Sequence, residues 1–219
     1  GGDDSSPGAD PYWSDVALLL QGDGGLVDQS SHGHTLTLDA GVALTADSPV
    51  GANGIAIPNG QQIALPDDDS IAFGAADFTA EGFVKIISGE GVLFSGAAGT
   101  GSTGLALFLR RTSFAGVARV WSYETATSFN TASAAPVGEW FHFAVTRESG
   151  VVRVFFDGVL EASDNMADNF GINGPRVGNY YGGYFNGEVM LDQVRLTKGV
   201  ARYTASFSPP IDPFPTQGP

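Results

Sequence analysis

No cysteine occurs in the chain, so a disulfide framework and a Cys-based zinc site are both excluded. Histidine is almost as scarce, with only His32, His34 and His142. A catalytic triad would have to draw on one of these, and its positioned third member is not visible in the spacing. Basic side chains number 10 against 24 acidic ones, a formal net charge of -14. Such a surface repels phosphate backbones and anionic lipid, which excludes nucleic acid and membrane as partners. No apolar run approaches the length of a membrane span, and no segment sustains a 3.6-residue period. The first residues lack the basic region and apolar core of a secretory signal.

What the chain does have is turn chemistry and large apolar side chains. Gly 31 and Pro 12 supply many turns, and Phe 15 suits the inner faces of sheets. The hydrophobic share of 42% is enough for a sizeable core. The acid excess reads first as solubility, and second as a source of cation ligands or a docking surface for a basic partner.

Short strands recur throughout. Val16-Ala17-Leu18-Leu19-Leu20 is a continuous apolar strand, and Thr35-Leu36-Thr37-Leu38 alternates. Residues 54–57 and 62–65 flank Asn59-Gly60, which predicts a hairpin. Further strands are expected over residues 78–86, 91–95 and 105–109, with a Gly/Ser/Thr/Ala loop over 96–104. Phe141, Phe143 and Val145 share one face, with His142, Ala144 and Thr146 on the other. Ser149-Gly150 and Asp157-Gly158 then turn the chain twice, since Gly after a small polar residue accommodates positive φ. Regularly spaced strands with this turn chemistry predict a single antiparallel β-sandwich over residues 12–208. Residues 1–11 read as a polar arm and residues 209–219 as a Pro-rich tail, both too poor in core residues to fold alone.

Five segments carry a family resemblance. The closing run Leu191-Asp192-Gln193-Val194-Arg195-Leu196-Thr197-Lys198-Gly199-Val200-Ala201-Arg202-Tyr203 leads into Phe207-Ser208-Pro209-Pro210. The others are Trp140-Phe141-His142-Phe143-Ala144-Val145-Thr146-Arg147, Val154-Phe155-Phe156-Asp157-Gly158-Val159, Asp28-Gln29-Ser30-Ser31-His32-Gly33-His34, and Asp77-Phe78-Thr79-Ala80-Glu81-Gly82-Phe83-Val84. In this order they resemble LamG-like domains of the concanavalin A-like lectin/glucanase superfamily, above all those of tailed-bacteriophage virion proteins. Phe83 stands where the family usually has Trp.

The resemblance implies an all-β concanavalin A-like jelly roll. It also implies a structural Ca²⁺ on the rim, held by Asp28 with a carbonyl near His34 and by Asp192, with Asp23 as a second choice. Calcium takes six to eight oxygens, so carboxylates on turns suit it. Glycan binding would use aromatic faces with polar neighbours. Tyr180 and Tyr181 are the expected exposed pair, and Trp121 and Tyr123 with Asn130 form a second patch. Hydrolysis would need two carboxylates about 5 Å apart for a retaining mechanism. Glu188 and Asp192 stand four residues apart with apolar residues between them, which does not supply that pair. The expected function is a noncatalytic structural protein on a tailed-phage virion surface, a capsid decoration or tail/fibre component. Its arms would dock on neighbouring capsid or tail subunits in an oligomeric particle, with a capacity for polysaccharide. The alternative is a carbohydrate-binding module of an extracellular bacterial protein.

Overall fold

A computed structural model describes residues 8–97, 103–180 and 186–219. Turn residues chop the chain into fifteen strands among these residues. They are β1 (Val16–Leu20), β2 (Thr37–Leu38), β3 (Ala43–Thr45), β4 (Gly54–Ile57), β5 (Ile63–Ala64), β6 (Phe78–Gly89), β7 (Gly91–Ser95), β8 (Leu105–Arg111), β9 (Val117–Ser122), β10 (Ser128–Ala134), β11 (Trp140–Glu148), β12 (Val151–Phe156), β13 (Val159–Asn165), β14 (Arg176–Gly178) and β15 (Gly187–Lys198). Helix among the described residues is confined to single 3-10 turns at Trp13–Asp15, Gly22–Gly24 and Thr112–Phe114.

Two antiparallel sheets form the sandwich. The eight-stranded sheet runs β13-β12-β11-β6-β15-β4-β3, with β1 added on β15. The seven-stranded sheet runs β10-β9-β8-β7-β14-β5-β2. Alternation places Phe141, Phe143 and Val145 in the shared core, opposite Leu107, Leu109 and Val120 from the other sheet. The expected β-sandwich of concanavalin A-like type is the fold observed. The two predicted hairpins are also present: β11 pairs with β12, and β12 with β13. Ser149 and Gly150 take φ of 49° and 82°, and Asp157 and Gly158 take 46° and 73°. These left-handed pairs match the right-handed twist of the strands they join.

Two expectations differ from the structure. Asn59-Gly60 does not close a hairpin, because β4 lies in one sheet and β5 in the other. The turn instead carries the chain across the sandwich, and local turn chemistry alone does not distinguish these outcomes. The described parts of the terminal segments, residues 8–11 and 209–219, pack on the sandwich. Asp10 is completely buried against the guanidiniums of Arg195 and Arg202. Phe214 is buried with Val16, Leu19 and Trp13. The backbone amide of Asp10 donates to the Gln217 carbonyl at 2.8 Å, so the two ends are tied to each other. The sequence pattern missed this because a single Asp and a single Phe in polar, Pro-rich surroundings carry no periodicity.

The terminal segments therefore contribute to stability. Truncating a fully buried Phe costs about 3–5 kcal/mol. Phe214→Ala, or deletion of residues 209–219, is expected to lower the melting temperature by on the order of 10 °C. A thermal melt indistinguishable from that of the full chain would show that the tail is an appendage after all.

Candidate functional site

Strand alternation gives the seven-stranded sheet an outward face as well as a core face. On β9, Ala118 and Val120 point into the core, so Arg119 and Trp121 point out. Antiparallel pairing sets Phe108 of β8 opposite Arg119, and Ala106 opposite Trp121. On the other side, β10 sets Asn130 opposite Arg119 and Ser128 opposite Trp121. The result is a cluster of rings and guanidiniums on one face.

The members touch in a closed circuit. Phe108 packs on Tyr180 with ring centroids 5.6 Å apart, Tyr180 stacks on Tyr123 at 6.1 Å, and Tyr123 meets Trp121 at 5.9 Å. The Arg119 guanidinium lies 4.9 Å from the Trp121 ring and 4.3 Å from Phe114. Arg111 closes the circuit, 5.5 Å from Phe114 and 4.8 Å from Phe108. Phe114 reaches this face because the 3-10 turn at the end of β8 folds back, with Ala115 and Gly116 at positive φ. Burial, and then a hydrogen bond with Tyr180, pushes the Tyr123 hydroxyl well above its ordinary pKa. Glu90 forms an ion pair with Arg111 at 2.9 Å and accepts from the Thr112 amide at 2.7 Å, which fixes the base of the turn.

Four of the five residues expected to bind glycan thus share one face. Trp121 and Tyr123 are half-buried and Asn130 is exposed. Tyr180 is buried, not exposed as expected, because its ring is stacked between Tyr123 and Phe108. Tyr181 lies outside the described residues. The arginines were not anticipated. Their signal is present in the sequence: residues 91–123 contain three arginines and no acid, in a chain with 24 acidic residues.

The expected calcium ligands do not form one site. Asp28 Oδ1 accepts from the Leu19 amide at 3.0 Å and the Ser30 amide at 2.9 Å. Its Oδ2 accepts from the Ser30 hydroxyl, the His34 amide and His34 Nδ1 at 2.7–2.9 Å. A carboxylate offers about four lone-pair positions, and these donors fill them. Asp28 and His34 form a turn latch, and the donor set does not fit a cation there. Asp192 differs. It is completely buried, its Oδ1 accepts from the amides of Gly22 and Gln193 and from Gln193 Nε2, its Oδ2 accepts from the Ser48 hydroxyl, and it has no ion-pair partner among the described residues. Burial first, and the charge of Asp23 in addition, raise its pKa above the usual carboxylate range. Asp23 holds the amides of Ala52 and Asn53. Among the described residues no three acidic or His side chains converge.

His34 also bridges Asp28 to Ser70, whose hydroxyl lies 2.9 Å from Nε2. The linkage is that of a Ser-His-Asp triad, but the charges are wrong for acyl transfer. The Ser70 hydroxyl donates to Asp68 Oδ1 at 2.7 Å, so its proton is already committed. The Asp67-Asp68-Asp69 run is exposed beside it, placing negative charge where an oxyanion would have to form. Glu188 is exposed and Asp192 is internal, so those carboxylates do not form a hydrolytic pair either.

Residues 58–201 match the profile of a laminin G family described as the concanavalin A-like lectin/glucanases superfamily. The chain belongs to this superfamily. No curated protein is matched by sequence. Among solved structures, the binding domain of Paraclostridial Mosquitocidal Protein 1 superposes with a TM-score of 0.70 at 15% identity, covering 88% of this chain and 50% of that one. The binding domain of botulinum neurotoxin DC in complex with SialylT gives 0.63 at 12% identity, covering 86% and 49%. Domain 4 of the extracellular GH43 arabinanase AbnA from Geobacillus stearothermophilus, in complex with arabinotriose, gives 0.63 at 19% identity, covering 85% and 94%. The chain spans about half the length of the toxin domains. At these identities the likeness is one of fold, and the fold resembles binding domains.

In this superfamily member the closing-strand motif is internal. Arg195 donates to Glu81 Oε1 at 2.8 Å and to Asp10 Oδ2 at 2.9 Å. Arg202 donates to Asp10 at 2.7 Å, and the Tyr203 hydroxyl donates to Glu81 Oε2 at 2.9 Å. His142 Nε2 stands 3.3 Å from the same carboxylate. Burial opposes ionisation of Glu81, but the charge of Arg195, with His142 and Arg202, outweighs it and holds the carboxyl far below the usual range. Because the folded pKa is depressed, the stabilisation is fully present above the unfolded value and is lost only as pH falls through the folded one. Glu81→Gln leaves buried guanidiniums short of counter-charge, which costs about 3–5 kcal/mol. The variant should unfold at markedly lower denaturant at pH 7, whereas the parent should keep its Glu81 contribution through mild acid. Equal denaturation midpoints at pH 7 would show that the ion pair adds nothing.

Proposed function

We propose that the chain is a noncatalytic glycan-binding sandwich whose site is the outward aromatic face of the seven-stranded sheet. The observation that carries this reading is the ring circuit itself. Trp121 and Tyr123 present half-buried faces beside the exposed amide of Asn130, the combination of platform and hydrogen-bond partner that a sugar ring requires. The glycan-bound state of two structural neighbours, the arabinanase domain with arabinotriose and the neurotoxin domain with SialylT, supports it. The charge pattern around Ser70 and the separation of Glu188 from Asp192 weigh against hydrolysis.

A structural subunit of a tailed-phage virion is the second reading, resting on the closing-strand resemblance. Arg195, Arg202 and Tyr203 of that motif serve the buried charge cluster. Asp10 and Phe214, in the segments expected to dock on neighbours, are folded into the sandwich. These residues therefore speak to fold more than to a particle, and the glycan reading suits either a virion surface or an extracellular bacterial protein.

Trp121→Ala is expected to abolish retardation in affinity gels cast with soluble polysaccharides, with the melting temperature nearly unchanged because Trp121 is only half-buried. Unaltered retardation of the variant would move the site off this face.

A structural Ca²⁺ belongs to the same reading, held at Oδ2 of Asp192, beside the Ser48 hydroxyl, with the charge of Asp23 nearby and backbone carbonyls and water completing the shell. The raised pKa of Asp192 means that its charged form costs stability at pH 7 unless a cation offsets it. The parent should melt higher in Ca²⁺ than in chelator. Asp192→Asn should melt above the parent in chelator and lose the response to Ca²⁺. Identical parent melts in chelator and in Ca²⁺ would remove calcium from the description.

A further inference from the structure

We propose that the ligand of this face is an acidic glycan, with Arg119 taking the carboxylate of a uronic-acid unit and Trp121 supporting the sugar ring. The inference rests on the glycan reading and names its chemical class. It begins from charge distribution. The chain carries a net charge of -14, yet Arg110, Arg111 and Arg119 lie in an acid-free stretch, and the guanidiniums of Arg111 and Arg119 meet over the Phe114 ring on one sheet face. Most other bases are occupied elsewhere. Arg195 and Arg202 neutralise Asp10 and Glu81, Lys85 pairs with Asp47, and Arg153 pairs with Glu148.

Within the cluster, Arg111 has its carboxylate in Glu90. Arg119 has none among the described residues, and its Nη2 donates to the neutral Ser128 hydroxyl. Its Nε is buried without a partner, and so is Nε1 of Trp121, two residues along the same face. Two adjacent donors thus lack acceptors, and one of them belongs to a cation. Burial and the neighbouring charge of Arg111 both press on the Arg119 guanidinium. The hydroxyls of a neutral sugar would satisfy the donors but leave that charge standing. A carboxylate does both, because its two oxygens match the guanidinium fork. The indole Nε1 is then placed to donate to a hydroxyl of the same sugar.

Phe114 is the cover over this position. Its ring lies on the Arg119 guanidinium, it is 42% exposed, and its turn ends in Ala115 and Gly116 at positive φ. A ligand reaches Nε by displacing this ring. The overall negative charge opposes an acidic polymer at long range. At about 0.15 M salt, however, the screening length is about 8 Å, so the repulsion of distant acids is screened and the groups in contact decide.

The test uses the full chain at that salt concentration. Affinity is measured by calorimetry and affinity gels against polygalacturonate, alginate and hyaluronate, each beside its methyl ester, with dextran sulfate as a non-carboxylate polyanion. At least one acid form should bind ten-fold or more tightly than its ester. Arg119→Met, which keeps the aliphatic packing, should erase that difference, and Arg119→Lys should restore part of it. Phe114→Ala should tighten binding several-fold, and Arg153→Ala, on the other sheet, should change nothing. If Arg119→Met melts too low to assay, the Arg119→Lys and Phe114→Ala results decide. Equal binding of acid and ester, or an Arg119→Met variant that still discriminates, overturns the acidic assignment and leaves a neutral-glycan site standing. Preference for dextran sulfate overturns the carboxylate. Failure of the parent chain to bind any glycan, neutral arabinan and xylan included, sinks the glycan reading itself.

Discussion

Two guanidiniums and two carboxylates, all removed from water on the outer face of the eight-stranded sheet, hold this molecule's organisation together. Arg195, Arg202, Asp10 and Glu81 balance in charge, and each bridges segments far apart in the chain. Desolvating four charges is expensive, and their mutual attraction offsets the cost only when every partner is in place. The cluster therefore couples β6, β15 and both terminal segments. Phe214 lies 3.8 Å from the Arg195 guanidinium and shields it from water. The tail after β15 is held down through Thr79 and Thr146, which donate to the carbonyls of Val200 and Tyr203. Tyr203 and Phe207 stack beside His142 and cover the same face.

That covering has a functional consequence. Where the terminal segments lie, the eight-stranded sheet is buried on both sides, so a ligand has little of it to read. Among the described residues no terminal segment covers β8 and β9 of the seven-stranded sheet, and rings and guanidiniums stand among the outward side chains there. The division of labour follows from where the arginines fall. Arg195 and Arg202 serve the fold because acids lie next to them in space. Arg119 has no carboxylate beside it among the described residues and donates to the Ser128 hydroxyl instead. One residue type thus occupies two electrostatic settings, a structural brace on one sheet and, on the other, a guanidinium with no carboxylate among the described residues.

Much of the sandwich was legible because side-chain alternation is a local property. The inward set Phe141, Phe143 and Val145 and the left-handed pairs at residues 149–150 and 157–158 needed only neighbouring residues to be recognised. What was not legible depends on partners distant in sequence. Asn59-Gly60 has hairpin chemistry but joins two sheets, a distinction made by β14 and β15 more than a hundred residues later. Asp10 looked like part of a polar arm because Arg195 and Arg202 cannot be assigned to it by spacing. The bulge that aims Asp192 and Arg195 outward was equally hidden. Gln193 takes a φ of 52° there, and Gly82 faces Val194 so closely that a side chain at position 82 would crowd it. The aromatic site was half visible: its Trp and Tyr residues stood out, while its arginines were lost in an acidic composition.

Three carboxylates show how little the residue type says until its surroundings are known. Asp28 is saturated by neutral donors and latches a turn. Glu81 is matched by guanidiniums and braces a sheet. Asp192 is buried with hydrogen bonds but no opposing charge, and Asp23 makes its position worse. Among the described residues Asp192 thus has no cation paired with it, and Arg119 has no carboxylate. A stable chain neutralises the charges it buries unless something outside the chain does so. Asp192 and Arg119 are accordingly the residues on which the calcium proposal and the acidic-glycan proposal turn. They lie on different parts of the sandwich and call for opposite chemistry, so each can be gained or lost without the other.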